Sequence, residues 1–227
     1  MPATKKDQRE AQKNINRRKA GEKNLRIAQI LGAAKKVFIA KGYDKASVRE
    51  IALEAGFTTG AIYAYFKGKG ELYGRILDEV LHIQLDYLKK ASQVKAPISE
   101  KLEALSMAYM TFAVDFPGEF KLLAIHFKKL DLQEELKKRL DDKFSKALGL
   151  VADVFAEGIQ QGCFPRDLDK KEAAFLLYLA TEGMLYATRY DYAPEFDFAP
   201  ADLLDRIVRY LIAGMKTTGP IEKNNRE

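Results

Sequence analysis

The chain has 227 residues, 47% hydrophobic and 31% charged, with a formal net charge of +6. That composition can bury a core and excludes intrinsic disorder; with no apolar run near the roughly 20 residues of a membrane span, and no apolar stretch after the basic N-terminus, no membrane partner is expected and the location is expected to be cytoplasmic. A single cysteine, Cys163, excludes an intrachain disulfide, and with only His82 and His126 beside it a zinc site is unsupported, so neither metal nor cofactor is expected.

Charge is distributed unevenly along the chain. Residues 1–26 hold nine cations and three anions, residues 27–77 eight and four, and residues 78–227 twenty-one and twenty-five. A basic first third on a mildly acidic remainder points to a polyanionic partner for the N-terminal part. Residues 1–23 are polar and nearly free of large apolar side chains, and read as a flexible basic arm. From Leu25 the apolar positions Ile27, Ile30, Leu31, Ala34, Val37 and Phe38 recur at helical spacing, with Gly42 just past the last turn. Ser47 with Glu50 three residues on forms a capping box for a short helix carrying Val48, Ile51, Ala52 and Ala55, which Gly56 ends. Thr58 is placed to cap another, carrying Ile62 and Phe66 and stopping near Gly68. Three helices in some forty residues, the last two joined by a glycine turn, make a helix-turn-helix arrangement.

The rest reads as helical throughout. A fourth helix is expected over residues 69–92, ended before Pro97; Ser99 is placed to cap a fifth, which Pro117-Gly118 breaks. A short segment follows through Phe127, then a long helix from about Leu132 to Gln161. Asp169 with Glu172 signals the start of an apolar helix to about Ala187, and a last one runs from near Pro200 to Gly219-Pro220. The expected fold is all-α, about nine helices: an N-terminal three-helix helix-turn-helix domain and a larger helical C-terminal domain. The expected division is an arm over 1–23, a DNA-binding domain over 24–72, a second domain over 73–219 and a tail over 220–227.

The segment from Ile27 to Leu77 carries a specific likeness. Ser47-Val48-Arg49-Glu50-Ile51-Ala52, the turn Ala55-Gly56-Phe57, the run Thr58-Thr59-Gly60-Ala61-Ile62-Tyr63-Ala64-Tyr65-Phe66, and Lys69 with Leu72 resemble the DNA-binding domain of the TetR family of transcriptional regulators. The likeness covers about fifty residues without a gap, and departs from the pattern at Gly70 and Phe57. It implies DNA contacts from Ser47, Thr58, Thr59, Gly60, Ala61, Tyr63, Tyr65 and Lys69. The residue types suit that role. Thr58, Thr59, Gly60 and Ala61 are small enough for close approach to the major groove; the Thr59 hydroxyl can bond a base or phosphate, and the Ala61 methyl can meet a thymine methyl. Tyr63 and Tyr65 can donate to phosphates, or stand as half-buried core aromatics. Lys69, at a helix start, suits an anion. Two readings of the arm stay open, a track along the DNA beside the site or a solubilising tail.

For the remainder, the resemblance implies an effector-binding and dimerisation domain whose last two long helices pair with their two-fold mates. Ala180, Gly183 and Ala187 form a small-residue strip there, and Leu204, Ile207, Val208 and Leu211 an apolar face, together the expected homodimer interface. Aromatics concentrate from Tyr109 to Tyr192. Tyr109, Phe112, Phe116, His126, Phe127, Phe155, Tyr178, Thr181 and Glu182 are the candidate lining of a pocket for a small hydrophobic or aromatic effector, most of the aromatics serving equally as core; Glu182 and Arg189 are a candidate pair along the dimer seam. The expected function is a ligand-responsive transcriptional regulator bound to double-stranded DNA at a palindromic operator, with repression the family's common mode. A DNA-binding protein without an effector is the alternative. An enzyme is less consistent, because no nucleophile–histidine–acid set, phosphate loop or metal-ligand spacing can be picked out.

Overall fold

The computed structural model describes residues 5–123, 130, 132–189 and 199–217. Among them are nine helices and no strand: α1 (Lys5–Lys45), α2 (Val48–Ala55), α3 (Thr59–Tyr63), α4 (Lys69–Ser92), α5 (Ile98–Asp115), α6 (Pro117–Leu123), α7 (Glu134–Gln160), α8 (Lys170–Arg189) and α9 (Pro200–Thr217). The chain divides into two compact units. One comprises residues 1–79 and 121–137, the other 80–120 and 138–227, and the division falls within α4.

In the first unit the core is the apolar face foreseen for α1. Ile30, Ala34 and Phe38 are fully buried with Ile51, Ile62, Phe66, Leu72 and Tyr73. Gly42 interrupts α1 at φ 77° and ψ 165°, a backbone conformation open essentially only to glycine, so the regular helix stops there and Tyr43–Lys45 form a further turn. The segment read as a flexible arm is helical from Lys5, as a continuation of α1. Its Lys, Arg, Gln, Glu and Ala residues are good helix formers and no proline interrupts them after Pro2, which explains the difference. α3 is shorter than its apolar spacing suggests: it ends at Tyr63, and Ala64-Tyr65 form a turn that still carries Phe66 into the core.

In the second unit α9 packs on α5 and α8. Its inner positions Leu204, Val208, Ile212 and Met215 recur every three or four residues and are buried. Pro97 stands at the N-cap of α5 and makes no side-chain cap, so the helix begins ahead of Ser99, which lies inside the first turn. Asp169 caps α8 as foreseen: its Oδ1 accepts from the N–H of Lys171 at 2.8 Å and of Glu172 at 3.2 Å, and the first of these bonds does most to hold its carboxyl below the usual carboxylate range. Gly158 sits where α7 meets the following loop. A Cβ there would come within 2.6 Å of the Phe164 ring and 3.1 Å of Ile98, a close approach that only glycine permits.

Candidate functional site

The helix-turn-helix is built by its caps. Ser47 Oγ accepts from the Glu50 N–H at 3.2 Å, and Glu50 Oε2 accepts from the Ser47 N–H at 3.0 Å, the reciprocal pair that satisfies two donors at the start of α2. Lys41 Nζ bonds Glu50 Oε1 at 2.5 Å, tying the end of the regular part of α1 to the same carboxylate. That bond, then those from Ser47, lower the Glu50 carboxyl to about 2. Gly56, at φ 72° and ψ 28°, turns the chain out of α2 through the left-handed region, and its N–H and that of Phe57 close onto α2 carbonyls. Thr58 Oγ1 then accepts from the Ala61 N–H at 3.2 Å and starts α3.

This geometry aims one surface of α2 and α3 at solvent. Thr58 and Gly60 are exposed and Thr59 and Ala61 half-exposed, while Ile62 beneath them is fully buried. Gly60 is not required by the chain itself: an added Cβ would meet nothing nearer than Thr58 Oγ1 at 4.0 Å. Tyr63 is 55% exposed and Tyr65 half-buried. Ser47, Thr58 and Thr59 share an open depression with Arg49, Leu53 and Phe57. Arg49 and Leu53 were not among the sequence candidates. Arg49 is exposed at the start of α2 and Leu53 is 83% exposed, and the helical period of α2 could have singled both out, since each is two residues from the fully buried Ile51 and so points to the other side of the helix.

Two expected DNA contacts look different in place. Lys69 was expected at a phosphate; its Nζ instead lies 2.8 Å from the carbonyl oxygen of Tyr43, 3.1 Å from that of Ala46 and 3.4 Å from that of Asp44, and 4.4 Å above the Tyr43 ring. Three donors meet three carbonyls at the end of α1, where free C=O groups and the helix dipole attract a cation. The ammonium is thereby a clamp within the unit. Ser47 was also expected at DNA; its hydroxyl lies 2.8 Å from Glu50 Oε2, so its one proton is engaged in the cap.

In the second unit the candidate lining separates into groups. Tyr109 donates to Glu182 Oε2 at 2.7 Å and packs edge-on against Tyr178 and Phe120. Burial, then the Glu182 charge, raise the Tyr109 hydroxyl well above its ordinary value, and burial likewise raises Tyr178 to about 12. Phe112 and Phe116 stack at 5.7 Å and reach this group through Phe120. Phe144, Phe175, Phe120 and Tyr87 join the aromatic set, and only the fold reveals Tyr87 because it lies on the distant α4. Phe155 packs instead on Phe164 as core. Thr181, expected as polar lining, donates its hydroxyl to the Leu177 carbonyl at 2.9 Å within its own helix. His126 and Phe127 lie outside the described residues, as does the side chain of Arg189. Among the described residues no group of acidic, His or Cys side chains could hold a metal, and no helix is long and apolar enough to cross a membrane.

The expected dimer face also divides. Leu204 and Val208 are 0% and 2% exposed, buried within their own unit, whereas Gly183 and Ala187 are exposed and Ala180, Ile207 and Leu211 half-exposed. Sequence period alone could not separate the two sides of α9, because both are apolar. The outward stripe gains Leu176, Leu179 and Tyr186 on α8 and Tyr210 on α9, which are 43%, 47%, 57% and 73% exposed.

Comparison with known proteins agrees with this architecture. Residues 30–76 match the family described as bacterial regulatory proteins, tetR family. The HTH-type transcriptional regulator YfiR of Bacillus subtilis is 32% identical over 149 residues, 63% of this chain and 69% of that protein. The HTH-type transcriptional repressor KstR2 of Mycobacterium tuberculosis is 27% identical over 162 residues, 67% of this chain and 76% of that protein. Among solved structures, the regulator FadR of Bacillus subtilis in complex with stearoyl-CoA superimposes with a TM-score of 0.66 at 21% identity, over 82% of this chain and 98% of that one. With its helix-turn-helix set by the Ser47–Glu50 box, Gly56 and Thr58, the chain belongs to the TetR family of DNA-binding transcriptional regulators.

Proposed function

We propose that the protein is a cytoplasmic homodimeric repressor that leaves a palindromic operator when a small hydrophobic or aromatic effector enters its second unit. Residues 24–72 read DNA, residues 73–219 sense and dimerise, and no catalysis is involved. The observation that carries the reading is the exposed surface of Thr58, Thr59, Gly60, Ala61 and Tyr63 beside Arg49. There the chain places small residues, three hydroxyls and a guanidinium over a fully buried Ile62; of the three hydroxyls, that of Thr58 also caps α3, and Gly60 has open space where a side chain would fit. Arg49 suits a guanine edge or a phosphate, Thr59 a base or phosphate, and Tyr63 a phosphate. Lys69 and Ser47 act indirectly, by holding α1 and α2 in place.

The outward apolar stripe of α8 and α9 is the homodimer seam, because a palindromic site needs a two-fold mate and side chains as apolar as Leu179 and Tyr210 do not ordinarily face water together. The effector reading is supported by the aromatic cluster around Tyr109 and by FadR, a protein of the same fold solved with stearoyl-CoA, which makes long acyl thioesters the first class to test. The ligand would bias the separation of the two recognition helices through α4, which runs through both units, and only by its differential affinity for the two spacings. The experiment selects a binding site from a random duplex library with the full chain, then compares variants on it. Gly60→Leu leaves the melting temperature within about 2 °C yet lowers affinity at least tenfold; an unchanged affinity defeats the DNA surface named here.

A further inference from the structure

We propose that the basic N-terminal extension of α1 is a second DNA-binding element, a helix that lies along the phosphate backbone beside the half-site and strengthens binding without reading sequence. The proposal rests on the chain's being a duplex-DNA binder. The first burial along α1 comes at Ile27, which is half-buried, and Ile30, which is fully buried. Before them every residue from Lys13 to Arg26 is exposed, including Ile15 at 45% and Leu25 at 62%. At 1.5 Å per residue, the helical stretch from residue 5 to residue 26 is about 33 Å long. It is polar on all sides, and such a helix draws no stability from an apolar face of its own.

Charge identifies the occupant. Lys13, Arg17, Arg18, Lys19, Lys23 and Arg26 stand in that exposed stretch against the single anion Glu22. Lys19, Lys23 and Arg26, four and three residues apart, share one face, and Lys13 and Arg17 share another. A cationic rod of this length repels itself, and a polyanion of regular spacing relieves the repulsion. Its helical form also decides between modes of contact. An α-helix with side chains is about 10–12 Å wide and does not enter a minor groove about 6 Å wide, which excludes the extended minor-groove track that an unstructured arm would allow. Long Lys and Arg side chains on several faces suit phosphates of both strands rather than one set of base edges.

The test uses the full chain and Arg17→Gln/Arg18→Gln/Lys19→Gln, substitutions that keep helix-forming residues at exposed positions and so preserve folding. Binding to two unrelated 36-base-pair duplexes is measured by fluorescence anisotropy across a series of salt concentrations. The expected result is a log–log salt slope shallower by about 2 or more, since each phosphate contact contributes about 0.9, with affinity lowered by the same factor on both duplexes. An unchanged slope overturns the proposal and leaves the DNA-binding reading standing; a loss confined to one duplex overturns it too, because the contact would then read sequence. If the unaltered chain binds neither these duplexes nor any selected site, both readings fall. Phosphatidylserine vesicles are the control partner. Loss of vesicle binding in the variant with an unchanged duplex slope assigns the helix to a membrane surface and overturns the proposal.

Discussion

Lys69 Nζ donates to the Ala46 carbonyl at 3.1 Å, and through it the first residue of α4 holds the residue that precedes the cap of α2. The same ammonium reaches the carbonyls of Tyr43 and Asp44, so one cation gathers the whole turn after Gly42. Lys69→Met leaves these carbonyls without their donor, which costs about 1–3 kcal/mol of unfolding free energy. Denaturant unfolding checks this. A phosphate role would instead show as unchanged stability with a salt slope shallower by about 0.9.

Tyr73 is fully buried, and its hydroxyl donates to the Leu122 carbonyl at 2.7 Å. Burial holds that hydroxyl well above its ordinary value, so it stays protonated. Tyr73→Phe removes only the oxygen and with it the bond to the Leu122 carbonyl. Stability falls by about 1–2 kcal/mol, read from urea denaturation with no change in m-value.

The two sides of α9 predict opposite phenotypes. Leu204→Ala opens a cavity in a fully buried site and lowers stability by about 2–5 kcal/mol. Leu179→Glu and Tyr210→Glu change exposed positions, leave each subunit folded, and turn the dimer into monomer. Light scattering after size exclusion distinguishes the two, and a Leu179→Glu/Tyr210→Glu protein that remains dimeric removes this seam.

Gly158→Ala adds a methyl group 2.6 Å from a Phe164 ring atom, and Phe164 is 4% exposed and cannot swing away. Overpacking costs about 1–3 kcal/mol, which exceeds the roughly 1 kcal/mol that alanine gains over glycine in a helix. A higher melting temperature in Gly158→Ala would contradict the close approach.

Stability depends on pH at both ends of the scale. The Glu50 carboxyl is lowered to about 2, so its contribution is present above the ordinary value near 4.5 and is lost as pH falls from there toward 2. The Tyr178 hydroxyl is raised to about 12, so the unfolded chain ionises first and stability is lost as pH rises from 10 toward 12. Unfolding free energies across pH check both limbs. Glu50→Ala flattens the acid one, and absorbance at 295 nm follows tyrosinate formation on the alkaline one.

Local signals carried far in the DNA-binding part. The Ser47–Glu50 box, the left-handed Gly56, the Thr58 cap and the stop at Gly42 are each determined by a few neighbouring residues, so spacing and side-chain chemistry alone identify them. The buried faces of α1 and α2 were legible for the same reason, because each has one apolar side. The candidate DNA surface was legible as residue types, but Arg49 and Leu53 joined it only once the turn was closed.

By itself the sequence determined an all-α chain, its helix-turn-helix, the place of most helix ends and a basic first third. Only tertiary structure decided which charges face outward. Lys69 and the cations of residues 13–26 are alike in composition, yet one is enclosed by carbonyls that meet across 23 to 26 residues of chain and the others stand in water. Tertiary structure likewise decided between the sides of α9, where Leu204 and Leu211 are the same residue and differ only in what packs against them. Periodicity reports a helix's own faces; burial and hydrogen bonding depend on segments distant in the chain, and those meet only when it folds.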